Sequence, residues 1–259
     1  MTDASLTFSL VVGLMNSLGL VREIPELIVI GVGAADELDA AEFSRRRVHE
    51  LYPLSTWVNG GPGRALIEAV LSPEMLTGGG GADSLLSFLV DELRPQLAAE
   101  FRFDESDHGI TGLSAGGHFV GYTLFSRPEA FGKCLAGSPP LSGCEDLLFT
   151  LEAKHAAAHS DLPAKVFFGA GEGEVADVYL AAADVVGSMT RMAQMLRLRN
   201  YPSLELTCRV YPGQTHASVA PYVLSEGLRA LYPIVPPDVE EQIEAIGAGP
   251  SHPSAETEH

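Results

Sequence analysis

At 259 residues with 46% apolar side chains, the chain is long enough for one large α/β domain and too apolar to be disordered. Its formal charge of −18, with three Lys against thirteen Arg, provides no basic face for nucleic acid. No apolar run reaches the roughly 18 residues that span a bilayer.

The elements follow in chain order. Phe8, Val11, Val12, Met15 and Leu18 recur at helical spacing and predict an amphipathic helix over residues 6–18. Leu27 to Ile30 is a continuous apolar run closed by glycines and reads as a strand buried on both faces. Residues 34–82 are irregular, with Arg45-Arg46-Arg47, Trp57, a short helix near Ala65–Leu71 and four glycines at 78–81. This stretch, above all 52–82, reads as a long loop or small cap of the functional kind. Asp83 is placed to cap a helix running to about Leu93, with Pro95 near its end.

From His108 the pattern alternates regularly. Strands are expected at His108–Leu113, Lys133–Ala136, Lys165–Phe168 and Leu204–Tyr211. Helices are expected at Gly116–Ser126, residues 145–159, about Val178–Leu198 and about Ala220–Leu231. Strands alternating with helices imply an α/β fold, a mostly parallel sheet with helices on both faces, in one domain over residues 1–235. Residues 236–259 read as an acidic, frayed tail.

Active residues of such a sheet sit beyond the carboxyl ends of its strands. The pentad Gly112-Leu113-Ser114-Ala115-Gly116 lies there, between a strand and a helix. That setting suits a serine held on a sharp turn, with glycines where a side chain would strike its neighbours. A serine hydroxyl needs a base, and His216 follows the last strand. An acid to orient the imidazole belongs after Lys165–Phe168, where Glu174 is favoured over Glu172, and Asp177 and Asp184 are more distant choices. The N–H of Ala115 supplies one oxyanion donor. Trp57, in the 52–81 loop, is expected to line the substrate pocket. The helical pair His155 and His159 has no Glu in an HExxH pattern, so no metal is expected.

Cys134, Cys144 and Cys208 are an odd count without a CxxC pair, which argues against a disulfide framework or a zinc site. They read as ordinary thiols of a reducing compartment. The start MTDASLTFSL has no basic segment of the signal-peptide kind, so a cytoplasmic location is expected.

Four stretches together carry a family likeness: Pro25–Val32, Gly79 to Pro95, Ile110–Pro139 and Tyr211–His216. Over about residues 6–232 the chain resembles the α/β-hydrolase esterases that include ferric enterobactin esterases, S-formylglutathione hydrolases and mycolyltransferases. The resemblance implies Ser114 as nucleophile, His216 as base and Glu174 as acid. It also places Arg45–Arg47, with Arg47 as a substrate-binding candidate, near the site. Family members begin with further strands whose last loop provides a second oxyanion donor. An N-terminally shortened sheet is therefore expected here. The reading that results is a serine esterase that uses no cofactor and acts on a small-molecule ester, of siderophore or short-chain type, with no nucleic-acid or membrane partner. An acyltransferase and an inactive protein on the same scaffold are the alternatives.

Overall fold

The structure, a computed structural model, describes residues 1–33, 39–60, 62–70 and 72–234. Four parallel strands form its centre: β1 (Gly109–Leu113), β2 (Lys133–Gly137), β3 (Lys165–Gly171) and β4 (Glu205–Tyr211), in the spatial order β1-β2-β3-β4. Leu113, Gly137, Gly169 and Arg209 stand in one row across the sheet. The four carboxyl ends therefore open onto one edge.

The apolar runs of β2 and β3 are buried on both faces, and side chains alternate between them. Phe167 joins Leu135, Val223, Leu224 and Val11 in one core cluster, under α11 (Ala220–Leu231) and α1 (Ala4–Leu20). Phe168 joins Phe119, Leu148, Met189 and Met192 in the other, under α7 (Ala115–Ser126), α8 (Gly143–Ala158) and α10 (Val185–Arg199). Fully burying such a side chain stabilises the fold by about 1.5–3 kcal/mol. Cys134 and Cys144 are buried free thiols and Cys208 is half-buried.

The first third of the chain departs from the sequence expectation. Leu27–Ile30 is not a buried strand. Ile28 is 55% exposed, and residues 25–33 carry no regular structure. Between this run and β1 lies the short segment Met1–Asp3. The Met1 amino group donates to Ile30 O at 2.6 Å and Val32 N–H to Met1 O at 2.9 Å, while Thr2 N–H donates to Thr111 O of β1 at 3.0 Å. This is parallel-sheet bonding that stops after about two residues. A groove of about 910 Å³, lined among others by Val11, Met15, Leu97 and Leu228, separates the rest of the run from β1. A strand needs a partner of matching length on at least one side, and here the partner, Met1–Asp3, is too short to provide it.

The expected loop over 34–82 is largely helical: α2 (Ala40–Leu51), α3 (Pro62–Val70) and α4 (Pro73–Leu76). Val48, Leu51, Tyr52, Trp57, Ile67 and Leu76 join the same cluster as Phe168, so this region packs into the main core. The helix expected from Asp83 starts one residue earlier, as α5 (Ala82–Ser87), and Asp83 accepts the Tyr122 hydroxyl at 2.7 Å instead of capping. It also runs through Pro95. A π turn at Phe88–Leu93 leads into α6 (Arg94–Glu100), with the proline in the first turn of α6. A widened turn ahead of proline removes the clash its ring makes with a regular helix. The expected long helix at 178–198 is broken into α9 (Val178–Ala182) and α10, with Asp184 left-handed (φ 52°) at the break. The acidic stretch 236–259 lies outside the described residues. No helix among the described residues is long and apolar enough to cross a membrane.

Candidate active site

β1 ends at Leu113 and α7 begins at Ala115, so Ser114 alone makes the turn between them. Its backbone lies at φ 57°, ψ −119°, a conformation costly for a residue with a side chain. Two bonds hold it: Ser114 N–H donates to Gly137 O at 2.7 Å, and Ser114 O accepts His118 N–H at 3.0 Å. The neighbouring glycines are sterically required. A Cβ on Gly112 would strike the Gly116 carbonyl, and on Gly117 it would stand 2.7 Å from Gly137 O. On Gly116 it would meet Thr2 Oγ1 at 2.7 Å, so the N-terminal segment packs directly behind the serine. The first N–H groups of α7, beginning with Ala115, have no partner within the helix and carry its positive end.

Glu174 sits in the 3₁₀ turn Glu172–Val175 immediately after β3, and its side chain is fully buried. Its Oε1 accepts the Ser138 hydroxyl at 2.6 Å and Gly171 N–H at 3.0 Å. Its Oε2 is buried and has no partner. Glu172 points outward and accepts Gly213 N–H at 2.9 Å. Asp177 caps α9 through Leu180 N–H, and Asp184 pairs with Arg191. Of the four acids open in the sequence, the structure sets Glu174 beside the histidine.

His216 starts on the edge opposite Ser114, because β4 and β1 are the two edges of the sheet, about 14 Å apart at ordinary strand spacing. The loop after β4 folds back over the end of β3. Gly173 N–H donates to Gln214 O at 2.9 Å, and a Cβ on Gly171 would strike the same carbonyl. This brings His216 Nδ1 to 3.6 Å from Glu174 Oε1, with the imidazole one-third exposed. That separation exceeds a hydrogen bond, and Nδ1 is buried without a partner. Catalytic contacts often tighten only around substrate. No hydrogen bond joins Ser114 Oγ to His216 among the described residues.

Trp57 and Arg47 are engaged inside the protein. Trp57 is buried and stacks on Tyr52 with ring centroids 5.3 Å apart. Arg47 Nε donates to Asp3 Oδ2 at 2.8 Å, and its Nη2 reaches Leu113 O at 3.4 Å, next to the serine. Burial opposes the Arg47 charge, but Asp3 more than compensates and raises its pKa. His118, one turn beyond Ser114, is buried against the Tyr52 ring, with Nδ1 3.0 Å from Pro140 O. Burial pushes its pKa down to about 4, so it is neutral at pH 7.

Sequence reasoning missed three residues near the site. Ser138 holds the carboxylate, Asp3 pairs with Arg47, and Asn59 braces a strained turn. Cys144, Glu145 and Asp146 are all left-handed (φ 56–58°), and Asn59 binds this turn from both sides, donating to Ser142 O at 2.5 Å and accepting Glu145 N–H at 2.7 Å. Ser138 had a signal, a serine immediately after a strand on the edge where such sheets bind ligands.

A parallel sheet with helices on both faces and a one-residue strand-to-helix turn at Ser114 defines the α/β-hydrolase class. Within that class the chain belongs to the family described as Putative esterase, whose model matches residues 70–214. It is 26% identical over 157 residues to the ferri-bacillibactin esterase BesA of Bacillus subtilis strain 168, a match covering 60% of this chain. The chain spans about half the length of that relative, 53%. Among solved structures it is similar to the siderophore hydrolase EstA from Aspergillus nidulans (TM-score 0.72, 21% identity, 88% of this chain and 79% of that one). It is equally similar to an IroE-like serine hydrolase from Shewanella oneidensis (TM-score 0.72, 22% identity, 95% and 74%). At these identities the structural likeness speaks for the fold.

Proposed function

We propose that this chain is a serine esterase that hydrolyses small-molecule carboxylic esters through an acyl-enzyme on Ser114. One observation carries the reading: a strained serine after β1 and a pair from the ends of β3 and β4, the buried Glu174 and the half-buried His216, face the same sheet edge. Ser114 Oγ attacks the ester carbonyl carbon while His216 takes its proton, and the oxyanion develops against the N–H of Ala115. His216 returns the proton to the departing alcohol. Water, deprotonated by the same imidazole, then releases the acid and frees Ser114. Glu174 keeps the imidazole oriented and offsets its charge.

Arg47, tied to Asp3 and Leu113 O, supports the serine turn from behind, and Trp57 with Tyr52 backs the pocket wall. The relatives named as siderophore hydrolases make a siderophore ester the first substrate to try, beside short-chain esters. Residues 1–235 form the single hydrolase domain in this reading, with residues 52–82 as an integral part of it.

A fluorophosphonate probe tests the mechanism. Ser114 Oγ displaces fluoride and forms a stable phosphonyl ester. Labelling is expected on the native chain and absent from Ser114→Ala, whose kcat on p-nitrophenyl acetate should fall by about 10⁴-fold or more. A folded native chain that is neither labelled nor active on any ester would reject the reading.

A further inference from the structure

Ser138 follows β2 directly, and the mechanism above gives it no part. It is 2% exposed and lies at φ 45°, which a residue with a side chain adopts reluctantly. With Ser114 it is one of two non-glycine residues at the carboxyl ends of the described strands to do so. Its N–H donates to Gly169 O at 2.6 Å, tying the turn to β3, and its hydroxyl donates to Glu174 Oε1 at 2.6 Å. The short distance marks a strong bond from a neutral donor to a charged acceptor.

We propose that Ser138 is a positioning residue for the acid of the esterase site, a role that rests on the reading above. An oxygen of an ionised carboxylate has two lone pairs. On Oε1 they are engaged by Ser138, just after β2, and by the N–H of Gly171, the last residue of β3. These two donors pin the carboxylate of a side chain that no solvent reaches. The buried, unpartnered Oε2 and the equally unpartnered Nδ1 of His216 remain as the pair that can close when substrate binds. Without the Ser138 hydroxyl the carboxylate loses its firmest anchor and swings toward the imidazole or away from it, and the base loses its fixed orientation. Misplacing a catalytic group by about 1 Å costs on the order of 10²-fold in rate. The strained backbone fits this role, since strain persists where surrounding structure imposes it for a purpose.

The experiment compares the native chain with Ser138→Ala, Ser138→Gly, Glu174→Gln and the double variant Ser138→Ala/Glu174→Gln, each checked for a native circular dichroism spectrum and a cooperative melt. Ser138→Ala removes the hydroxyl and keeps the strain, whereas Ser138→Gly removes both. Both are expected to lower kcat on p-nitrophenyl acetate by about 10–100-fold with KM changed by less than about twofold. Adding Ser138→Ala to Glu174→Gln should cost less than about threefold more, because the serine acts through the glutamate. A Ser138→Gly variant with native kcat, or full additivity in the double variant, would overturn the proposal and leave the esterase reading standing. If Ser138→Ala fails to fold, the Gly variant decides by the same criterion. A native chain that neither turns over esters nor takes the fluorophosphonate label would remove both.

Discussion

Two apolar runs of similar make-up met different fates. Lys165–Gly171 and Pro25–Gly33 both carry β-branched or aromatic residues closed by glycines. The first became β3, with six of its seven residues buried between β2 and β4. The second forms no strand, bonds to its neighbours through Met1 and Ala4, and leaves Ile28 55% exposed. Hydrophobicity selects candidates for a parallel strand. A neighbour of full length on at least one side decides which of them is realised.

The widest contrast is in the cores of the two runs. Phe168→Ala should cost about 3–5 kcal/mol in urea denaturation, because the side chain is fully buried and leaves a cavity. Ile28→Ala should stay within about 0.5 kcal/mol. Equal costs would mean that Pro25–Gly33 is as firmly packed as β3.

The contact of α7 with the chain just after α2 comes next. His118 of α7 is buried against Tyr52, and burial sets its folded pKa at about 4 against 6.5 in the unfolded chain. Below pH 6.5 the unfolded chain takes up a proton that the folded one refuses. Stability present above pH 6.5 is therefore lost as the pH falls toward 4, by about 2–3 kcal/mol at pH 4.5. His118→Gln should remove that part of the fall between pH 7 and 4.5. An unchanged pH profile in the variant would place the acid sensitivity elsewhere.

The smallest contrast concerns two glycines. A methyl at Gly112 strikes the Gly116 backbone, while one at Gly31 meets only side-chain atoms of α1, the Phe8 ring at 2.7 Å and Ala4 Cβ at 2.9 Å. Gly112→Ala should lose about 1–3 kcal/mol and most ester turnover, and Gly31→Ala less, about 1 kcal/mol, with ester turnover kept. Thermal melts with a p-nitrophenyl ester assay read both.

Much of the proposed site was legible because the residues assigned to it sit at strand ends. Ser114, Glu174 and His216 each follow a strand with only a short turn between, so locating four strands located them. The strands were legible because all four are consecutive neighbours in one sheet. Other features were hidden. Arg45–Arg47 reads as part of an irregular stretch, yet it lies on α2, whose Val48 and Leu51 enter the core and whose Arg47 finds Asp3, 44 residues away. The Ser138–Glu174 bond spans 36 residues, and no local pattern announces it.

By itself, then, the sequence determined the alternation of strands and helices from β1 onward, the glycines of the serine turn, and the three residue types the proposed chemistry needs. These follow from local sterics and from the two-residue and 3.6-residue periods of burial. Tertiary structure alone decided that Leu27–Ile30 would not be a strand, that Arg47 would pair with Asp3, and that Ser138 would hold the Glu174 carboxylate. Each of those outcomes depends on which distant backbone arrives beside the residue, and local periodicity carries no record of that.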